Sequence, residues 1–341
     1  MASSKAKVLL FGGGGVGTIT ALNLEAGGLT SVTAVLRSNY NTVINKGFDI
    51  KSCDHGTVSG WRPSKVLKSI PLTSEEKFDY IVCTTKNVPD CPPTLAELIA
   101  PAVVPGHTVI VLVQNGFNIE LPMFKAFPDN IVLSGVSLIG SHEVQHGVIE
   151  HDDNDRSFIG PFHNPRLDPA KEEAAAKEYV KLYSASGKCS CEFTDDVPFT
   201  RWRKLIYNAC LNSICALTGL DTGRLRLADD LVDSLVRPAM EEIRAAAKAN
   251  GVELPADVCD FMINLDPVTM YLPPSMLGDV RKGNYTEYEN ILGEPLRAGT
   301  ALGVPMPTLT VLYHLLKAIQ WRTKEINGVV KIPPKESFVA K

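Results

Sequence analysis

The sequence predicts an α/β protein in two parts, a sheet domain over residues 1–196 and an all-helical domain over residues 197–341. Three observations carry this. A strand-type apolar run, Lys7 to Phe11, enters the glycine cluster Gly12-Gly13-Gly14-Gly15-Val16-Gly17 and then a helical stretch from Thr18 to Glu25. Further apolar runs follow with helical stretches between them, the pattern of parallel strands covered on both faces. Around Asp195-Asp196-Val197-Pro198 the character changes, and helix signals dominate from there on.

The first element sets the reading of the first domain. Gly12, Gly14 and Gly17 keep the G-x-G-x-x-G spacing. The first glycine permits a tight turn, the second lets backbone N–H groups approach a pyrophosphate, and the third lets helix and strand pack closely. The helix N-terminus that follows favours an anion through its unpaired N–H groups and its dipole. Because strand, glycines and helix come in the required order, the segment reads as the start of a Rossmann-type dinucleotide-binding domain rather than as an ordinary glycine-rich turn.

The second strand, Ser31 to Leu36, ends in Arg37-Ser38-Asn39. An acidic residue at that place accepts hydrogen bonds from the ribose of NAD, whereas an arginine suits the 2′-phosphate of NADP. Arg37 therefore points to NADP(H). Asp79 to Lys86 and His107 to Val113 are the next buried strands, the latter running into Gln114-Asn115-Gly116. Lys86 and Asn115 each fall just past a strand's C-terminal end, the edge where open α/β sheets bind ligands. Segments 131–140, 147–151 and 157–160 are expected to extend the same sheet. The run His151-Asp152-Asp153-Asn154-Asp155 reads as a solvated acidic turn; it lacks the spacing of a calcium loop, and no metal is expected. Residues 170–186 form a charged amphipathic outer helix.

In the second domain, residues 200–217 are read as one helix carrying Trp202, Lys204, Asn208 and Asn212. Residues 231–250 form a long helix stopped by Asn250-Gly251. Ser275 opens a short helix after Pro273-Pro274. Thr286-Glu287-Tyr288-Glu289 has the form of a capping box, which places Glu287 at the first position of another helix that ends between Gly299 and Gly303.

Lys204, Asn208 and Asn212 are four apart, so on an α-helix they share one face. Two amides and an ammonium in an otherwise apolar segment are costly to bury without partners, and a solvated face normally carries more charges. Reduction of a ketone needs a proton donor beside the oxygen that gains negative charge. A lysine in a partly dry site meets that need, held charged by a nearby carboxylate such as Glu287. Ser275, in a first helical turn, suits a substrate carboxylate. Each of these residues alone has an ordinary structural reading as a cap or a solvated side chain.

The rest of the composition excludes more than it adds. At 341 residues, 45% hydrophobic and 21% charged, with a formal net charge of −4, the chain has no basic field for nucleic acid or an anionic membrane. The eight cysteines include no CxxC pair, and reduced, mostly buried thiols of a cytoplasmic protein are expected. No secretory signal and no bilayer-length apolar run is read in the chain.

Taken together, the sequence resembles the ketopantoate reductase (2-dehydropantoate 2-reductase) family over nearly its whole length. The resemblance rests on Gly12 to Gly17 with Val16, Arg37, Thr85-Lys86, Gln114-Asn115-Gly116, Trp202-Arg203-Lys204-Leu205 with Asn208 and Asn212, Ser275-Met276-Leu277 with Asp279, Thr286-Glu287, and Gly303-Val304-Pro305-Met306-Pro307. It implies NADPH-dependent reduction of a 2-keto acid, ketopantoate, to a 2-hydroxy acid, pantoate, in pantothenate biosynthesis. By position it implies Lys204 as general acid and Glu287 as its partner, also reaching the cofactor. Asn115 would hold nicotinamide and substrate, Ser275 the substrate carboxylate, and Asn208 and Asn212 its polar groups. Arg37 and Lys86 would contact the cofactor's phosphates or ribose. A small keto acid and a second copy of the chain in a homodimer are the implied partners.

Two departures stand out. The family often has two serines and an upstream asparagine where this chain reads Tyr271-Leu272-Pro273-Pro274-Ser275, and a polar residue near Leu292. Losing one buried hydrogen-bond partner costs ~1–3 kcal/mol, enough to redirect specificity, so the residues fix the reaction class more tightly than the substrate. The alternatives are a related reductase of a different keto acid, ketone or imine, and a non-catalytic NADP(H)-binding sensor. The retained Lys204 and Glu287 argue against the sensor, which has no use for a proton donor.

Overall fold

Twelve strands occur among the residues that the computed structural model describes, 5–335: β1 Ala6–Phe11, β2 Thr30–Val35, β3 Phe48–Ser52, β4 Gly56–Trp61, β5 Lys65–Leu67, β6 Tyr80–Cys83, β7 Val109–Leu112, β8 Val132–Ser137, β9 Gly140–Gln145, β10 Val148–Asp153, β11 Arg156–Phe162 and β12 Ser190–Phe193. All of them lie in the first of two units into which the chain divides, one up to Arg201 and one from Trp202.

The first unit is built on an eight-stranded sheet in the order β12-β11-β8-β7-β6-β1-β2-β5. Its strands pair in parallel except β11, which runs antiparallel to β8. β1 shows why the sheet is covered on both faces. Val8 and Leu10 enter one core with Ile19, Leu24 and Tyr179, while Leu9 and Phe11 enter another with Phe78, Ile81 and Ile99. Successive side chains of a strand alternate between faces, so a strand apolar at four consecutive positions, Val8 to Phe11, needs cover on each side. The helices Gly15–Ala26 and Pro169–Ser184 contribute to the first core, and Leu95–Ile99 to the second.

Segments 131–140 and 157–160 extend this sheet as expected, through β8 and β11, but the expectation that segment 147–151 does so is corrected. β9 and β10 join a separate four-stranded sheet, β4-β3-β10-β9. β3 is its best-buried strand and alternates strictly, with Phe48, Ile50 and Ser52 buried and Asp49 and Lys51 exposed.

The acidic turn is corrected as well. Asp155 is 2% exposed, and its carboxylate accepts from the Tyr183 hydroxyl at 2.5 Å and from Asn23 Nδ2 at 2.7 Å. Burial raises its pKa, opposed by these hydrogen bonds. His151, also buried, brings Nε2 close to Cys53 Sγ and Asp54. Ser52 Oγ accepts from the Asp54 and His55 amides at 3.1 and 2.9 Å, which leaves its own proton for His151 Nδ1 at 2.8 Å. His151 Nε2 lies 3.6 Å from the Asp54 carboxylate and has no hydrogen-bond partner among the described residues. The Ser52–His151 contact works as a polar buckle between β3 and β10.

The second unit is helical. A continuous helical path runs from Val197 to Thr218, but it is not one α-helix as the sequence suggested: Val197–Leu205 is α-helical, Ile206–Asn212 is π-helical and Ser213–Thr218 is α-helical. Two more π-helical segments, Val232–Val236 and Glu289–Gly293, precede the helices Arg237–Ala249 and Glu294–Ala301. The i→i+5 bonding of a π turn is rare and concentrates at functional sites. The 206–212 segment packs against Arg237–Ala249, Ser275–Arg281 and Glu289–Gly293, and Ile206, Ala209, Cys210 and Leu211 are fully buried in that contact.

Candidate active site

In the first unit the C-terminal ends of β1, β6 and β7 are locked together by side chains. Gly12 has φ +113, and a Cβ there would lie 2.8 Å from the Thr85 amide nitrogen, so only glycine makes this turn. A Cβ on Gly17 would lie 2.0 Å from the Gly12 carbonyl oxygen, which is the close strand–helix approach that the motif requires. Around Gly14 the corresponding direction is open, with nothing within 4 Å. The Thr84 hydroxyl donates to the Gly12 carbonyl at 2.7 Å, and Gln114 Nε2 donates to the Thr85 carbonyl at 2.7 Å. The glycine turn, the segment carrying Lys86 and the turn carrying Asn115 therefore form one hydrogen-bonded edge.

Arg37 and Lys86 are exposed at this edge, and Asn115 is half-buried. Among the described residues the Arg37 guanidinium and the Asn115 carboxamide have no hydrogen-bond or ion-pair partner. Asn39, which the sequence reading passed over, is buried and donates to the Gly13 carbonyl at 2.7 Å and to Glu143 at 2.8 Å, tying the glycine turn to β9.

Arg201 is the larger omission. It is 4% exposed, and its guanidinium donates to the carbonyls of Gly116 (2.9 Å), Gln114 (3.1 Å) and Leu112 (3.4 Å) and to Ser134 Oγ (2.9 Å), with the Phe162 ring 4.9 Å away. Burial lowers its pKa to about 10. The signal was present: Val197, Arg201 and Leu205 fall at i, i+4 and i+8, so the arginine lies on the apolar stripe of its helix.

In the second unit Lys204 is half-buried on the last α-helical turn before the π segment, while Asn208 (8% exposed) and Asn212 (1%) lie inside it. The straight α-helical row that the spacing suggested is thus broken by the change of helix type. Asn212 is spent on both ends: Nδ2 donates to Ser275 Oγ at 3.2 Å, and Oδ1 accepts the Met276 amide at 2.9 Å. It caps the helix Ser275–Arg281 from outside and orients the Ser275 hydroxyl, whose own proton is left to donate. The Asn208 carboxamide, although buried, has no hydrogen-bond partner among the described residues. Such a group is costly to bury unless something else completes it.

Glu287 is buried, but one position earlier than expected, because the helical turn begins at Tyr288. The capping box does not form. The Thr286 amide and hydroxyl both donate to Gln320 Oε1, at 3.0 and 3.4 Å. Beyond Glu287, the Glu289 carboxylate accepts from the Tyr313 hydroxyl and from Arg297, each at 2.9 Å. Burial pushes its carboxyl up, but these bonds outweigh burial and hold it below the ordinary range. Of the departures, Leu292 is fully buried in the neighbouring π segment, and Pro273-Pro274 lead directly into Ser275.

A mostly parallel sheet with a glycine-rich first turn, followed by a helical unit with these polar groups, defines the ketopantoate reductase fold. Residues 8–164 match the family model described as ketopantoate reductase PanE/ApbA, and residues 196–320 match its C-terminal counterpart. The chain belongs to the ketopantoate reductase family, whose members are oxidoreductases. It is 36% identical to an uncharacterized protein of Saccharomyces cerevisiae, over 96% of this chain and 98% of that one. The crystal structure of 2-dehydropantoate 2-reductase from Methylococcus capsulatus is similar with a TM-score of 0.74 and 34% identity, covering 93% of this chain and 97% of that one. D-mandelate dehydrogenase, in a ternary structure with NADH and anilino(oxo)acetate, shares the fold at a TM-score of 0.80 and 20% identity, covering 93% and 99%. No helix among the described residues is long and apolar enough to cross a membrane.

Proposed function

We propose that this protein reduces a 2-keto acid to the 2-hydroxy acid with NADPH, that ketopantoate is its substrate, and that the product pantoate serves pantothenate biosynthesis. In this reading residues 1–196 bind the dinucleotide, and residues 197–341 bind the substrate and supply the proton. The observation that carries the reading is the state of the polar groups in the 206–212 segment. Asn212 fixes Ser275, and the Ser275 hydroxyl proton and the whole Asn208 carboxamide remain for a ligand, in the unit that also holds Lys204 and Glu287.

The glycine edge suits a dinucleotide: the space beside Gly14 is open, and Arg37 is exposed with its charge unspent beyond β2. We assign the pyrophosphate to Gly12, Gly13, Gly14, Gly15, Val16 and Gly17, the 2′-phosphate or ribose to Arg37 and Lys86, and the nicotinamide end to Asn115 and Glu287. The bound dinucleotide supplies the hydride to the keto carbon. Lys204 gives a proton from Nζ to the keto oxygen as negative charge develops there, and Glu287 favours its charged form before transfer. Ser275 donates to the substrate carboxylate, and Asn208 and the preset Asn212–Ser275 pair hold the remaining polar groups.

A second reading keeps the reaction and changes the substrate to a more apolar keto acid, ketone or imine. It is favoured by Pro273-Pro274 and the buried Leu292, which offer no side-chain donor or acceptor. Turnover of NADPH with ketopantoate, against a panel of branched and aromatic 2-keto acids, separates the two. Activity confined to the panel moves the substrate; activity with none of them removes the reductase reading. We place the protein in the cytoplasm, in keeping with eight cysteines, none of them in a disulfide and most of them buried. We propose a homodimer as its assembly, in keeping with Val311, Leu315 and Trp321 exposed along the helix Pro307–Ile326.

A further inference from the structure

We infer that Arg201 is a positioning residue of the reductase site, acting by holding the backbone on both sides of Asn115. The inference rests on the proposal that Asn115 contacts nicotinamide or substrate. One guanidinium nitrogen, Nη1, donates to the carbonyls of both Gln114 and Gly116, the residues that flank Asn115. Nη2 reaches the Leu112 carbonyl at the end of β7, and Nε is anchored on Ser134 Oγ of β8. Gly116 has φ +104 at a bend just after Asn115, and one side chain holds both the 114–115 peptide that enters Asn115 and the 116–117 peptide that leaves Gly116.

Two features separate this from ordinary core packing. A buried arginine usually finds a carboxylate, because desolvating the charge is expensive. Among the described residues Arg201 makes no salt bridge, every acceptor it uses is a carbonyl or a hydroxyl, and Glu120 acts on it through its charge alone. Its fork is spent on setting a turn rather than on neutralising a charge. The side chain set by that turn, the Asn115 carboxamide, has no hydrogen-bond partner among the described residues. A rigid backbone under an unsatisfied carboxamide is what a ligand-holding group requires, since a displacement of about 1 Å can cost as much as a hundredfold in rate.

The test is a double-mutant cycle in the full-length protein, with NADPH and the keto acid of highest turnover. Arg201→Met, Asn115→Ala and the double variant are compared by kcat/KM, by NADPH affinity and by thermal midpoint. If Arg201 acts through Asn115, each single variant loses roughly tenfold to a hundredfold in kcat/KM, and the double variant is no worse than Asn115→Ala. Arg201→Lys keeps the charge without the fork, and it should recover thermal stability while leaving kcat/KM low. Ser134→Ala, which removes only the Nε acceptor, serves as the milder probe if both Arg201 variants fail to fold. It should lower kcat/KM in the wild-type background and leave Asn115→Ala unchanged. Losses that multiply in the double variant, or in the Ser134 pair, overturn the inference: the arginine is then structural. No loss in Asn115→Ala overturns it too, and strikes only the Asn115 assignment, because the keto-acid panel tests the reductase reading on its own.

Discussion

The Asn212 carboxamide donates to the Ser275 hydroxyl oxygen at 3.2 Å while its oxygen accepts the Met276 amide at 2.9 Å. One buried amide from a π-helical segment thus sets both the entry of a second helix and the direction in which Ser275 can donate. In this account the pair is a single device, with Asn212 acting through Ser275.

Removing the device should show as substrate binding. Ser275→Ala is expected to raise KM for the keto acid about tenfold or more with a smaller change in kcat, as loss of a hydrogen bond to a charged group costs ~1.5–3 kcal/mol. Asn212→Ala should do the same and also destabilise the fold, since it leaves the Met276 amide unsatisfied. Steady-state kinetics and thermal melts on both variants check this. A KM unchanged in Ser275→Ala contradicts the carboxylate role.

Arg37 should discriminate between cofactors. With its guanidinium exposed and unspent, Arg37→Ala is expected to weaken NADPH much more than NADH, by about tenfold or more for a lost charge-assisted contact to phosphate. Direct titration of each dinucleotide measures it. Equal losses for the two would refute the 2′-phosphate contact.

Acid should loosen the region around Glu287 through its neighbour Glu289. The folded pKa of Glu289 is depressed, so its contribution is full above the unfolded carboxyl value and is lost as pH falls through the folded one. Glu289→Gln is therefore expected to cost about 1–3 kcal/mol near neutral pH, and its gap to wild type should narrow as pH falls below the ordinary carboxyl value of about 4.3. Urea unfolding at several pH values measures the difference. A gap that does not narrow in acid argues against the Arg297–Glu289–Tyr313 cluster as its source.

How far these features could be read from the chain depends on whether a residue's partner was nearby in sequence. The glycine turn was legible because strand, turn and helix are contiguous, and β1 was legible because it is apolar without a break from Val8 to Phe11. β3 carries an equally plain alternation at Phe48, Ile50 and Ser52 and pairs with β4 close by, but β10, which joins that hairpin to β9, lies about a hundred residues away, so the separate sheet was missed. Asp155 looked solvated because its partners, Asn23 and Tyr183, are remote in sequence. The π-helical segments defeat the rule of four by changing the helix period, which is why the Lys204, Asn208 and Asn212 row was expected straight. Thr286 was read as a local cap, whereas Gln320, on the long helix Pro307–Ile326, takes both of its donors.

Asn208 offers a further check inside the second unit. A buried carboxamide without a protein partner is expected to gain one on ligand binding, so Asn208→Ala should leave the fold within about 1 kcal/mol of wild type and weaken the keto acid. Thermal melts with and without substrate measure both terms. A large loss of stability with substrate affinity intact would make Asn208 a core residue instead.

The central claim is that Lys204 delivers the proton, and the most direct measurement is the rate of NADPH oxidation by Lys204→Ala at saturating cofactor and keto acid. A general acid of this kind contributes ~10²–10⁴-fold, so the variant should bind NADPH normally and turn over at least a hundredfold more slowly. A Lys204→Ala rate within a few-fold of wild type would contradict the assignment.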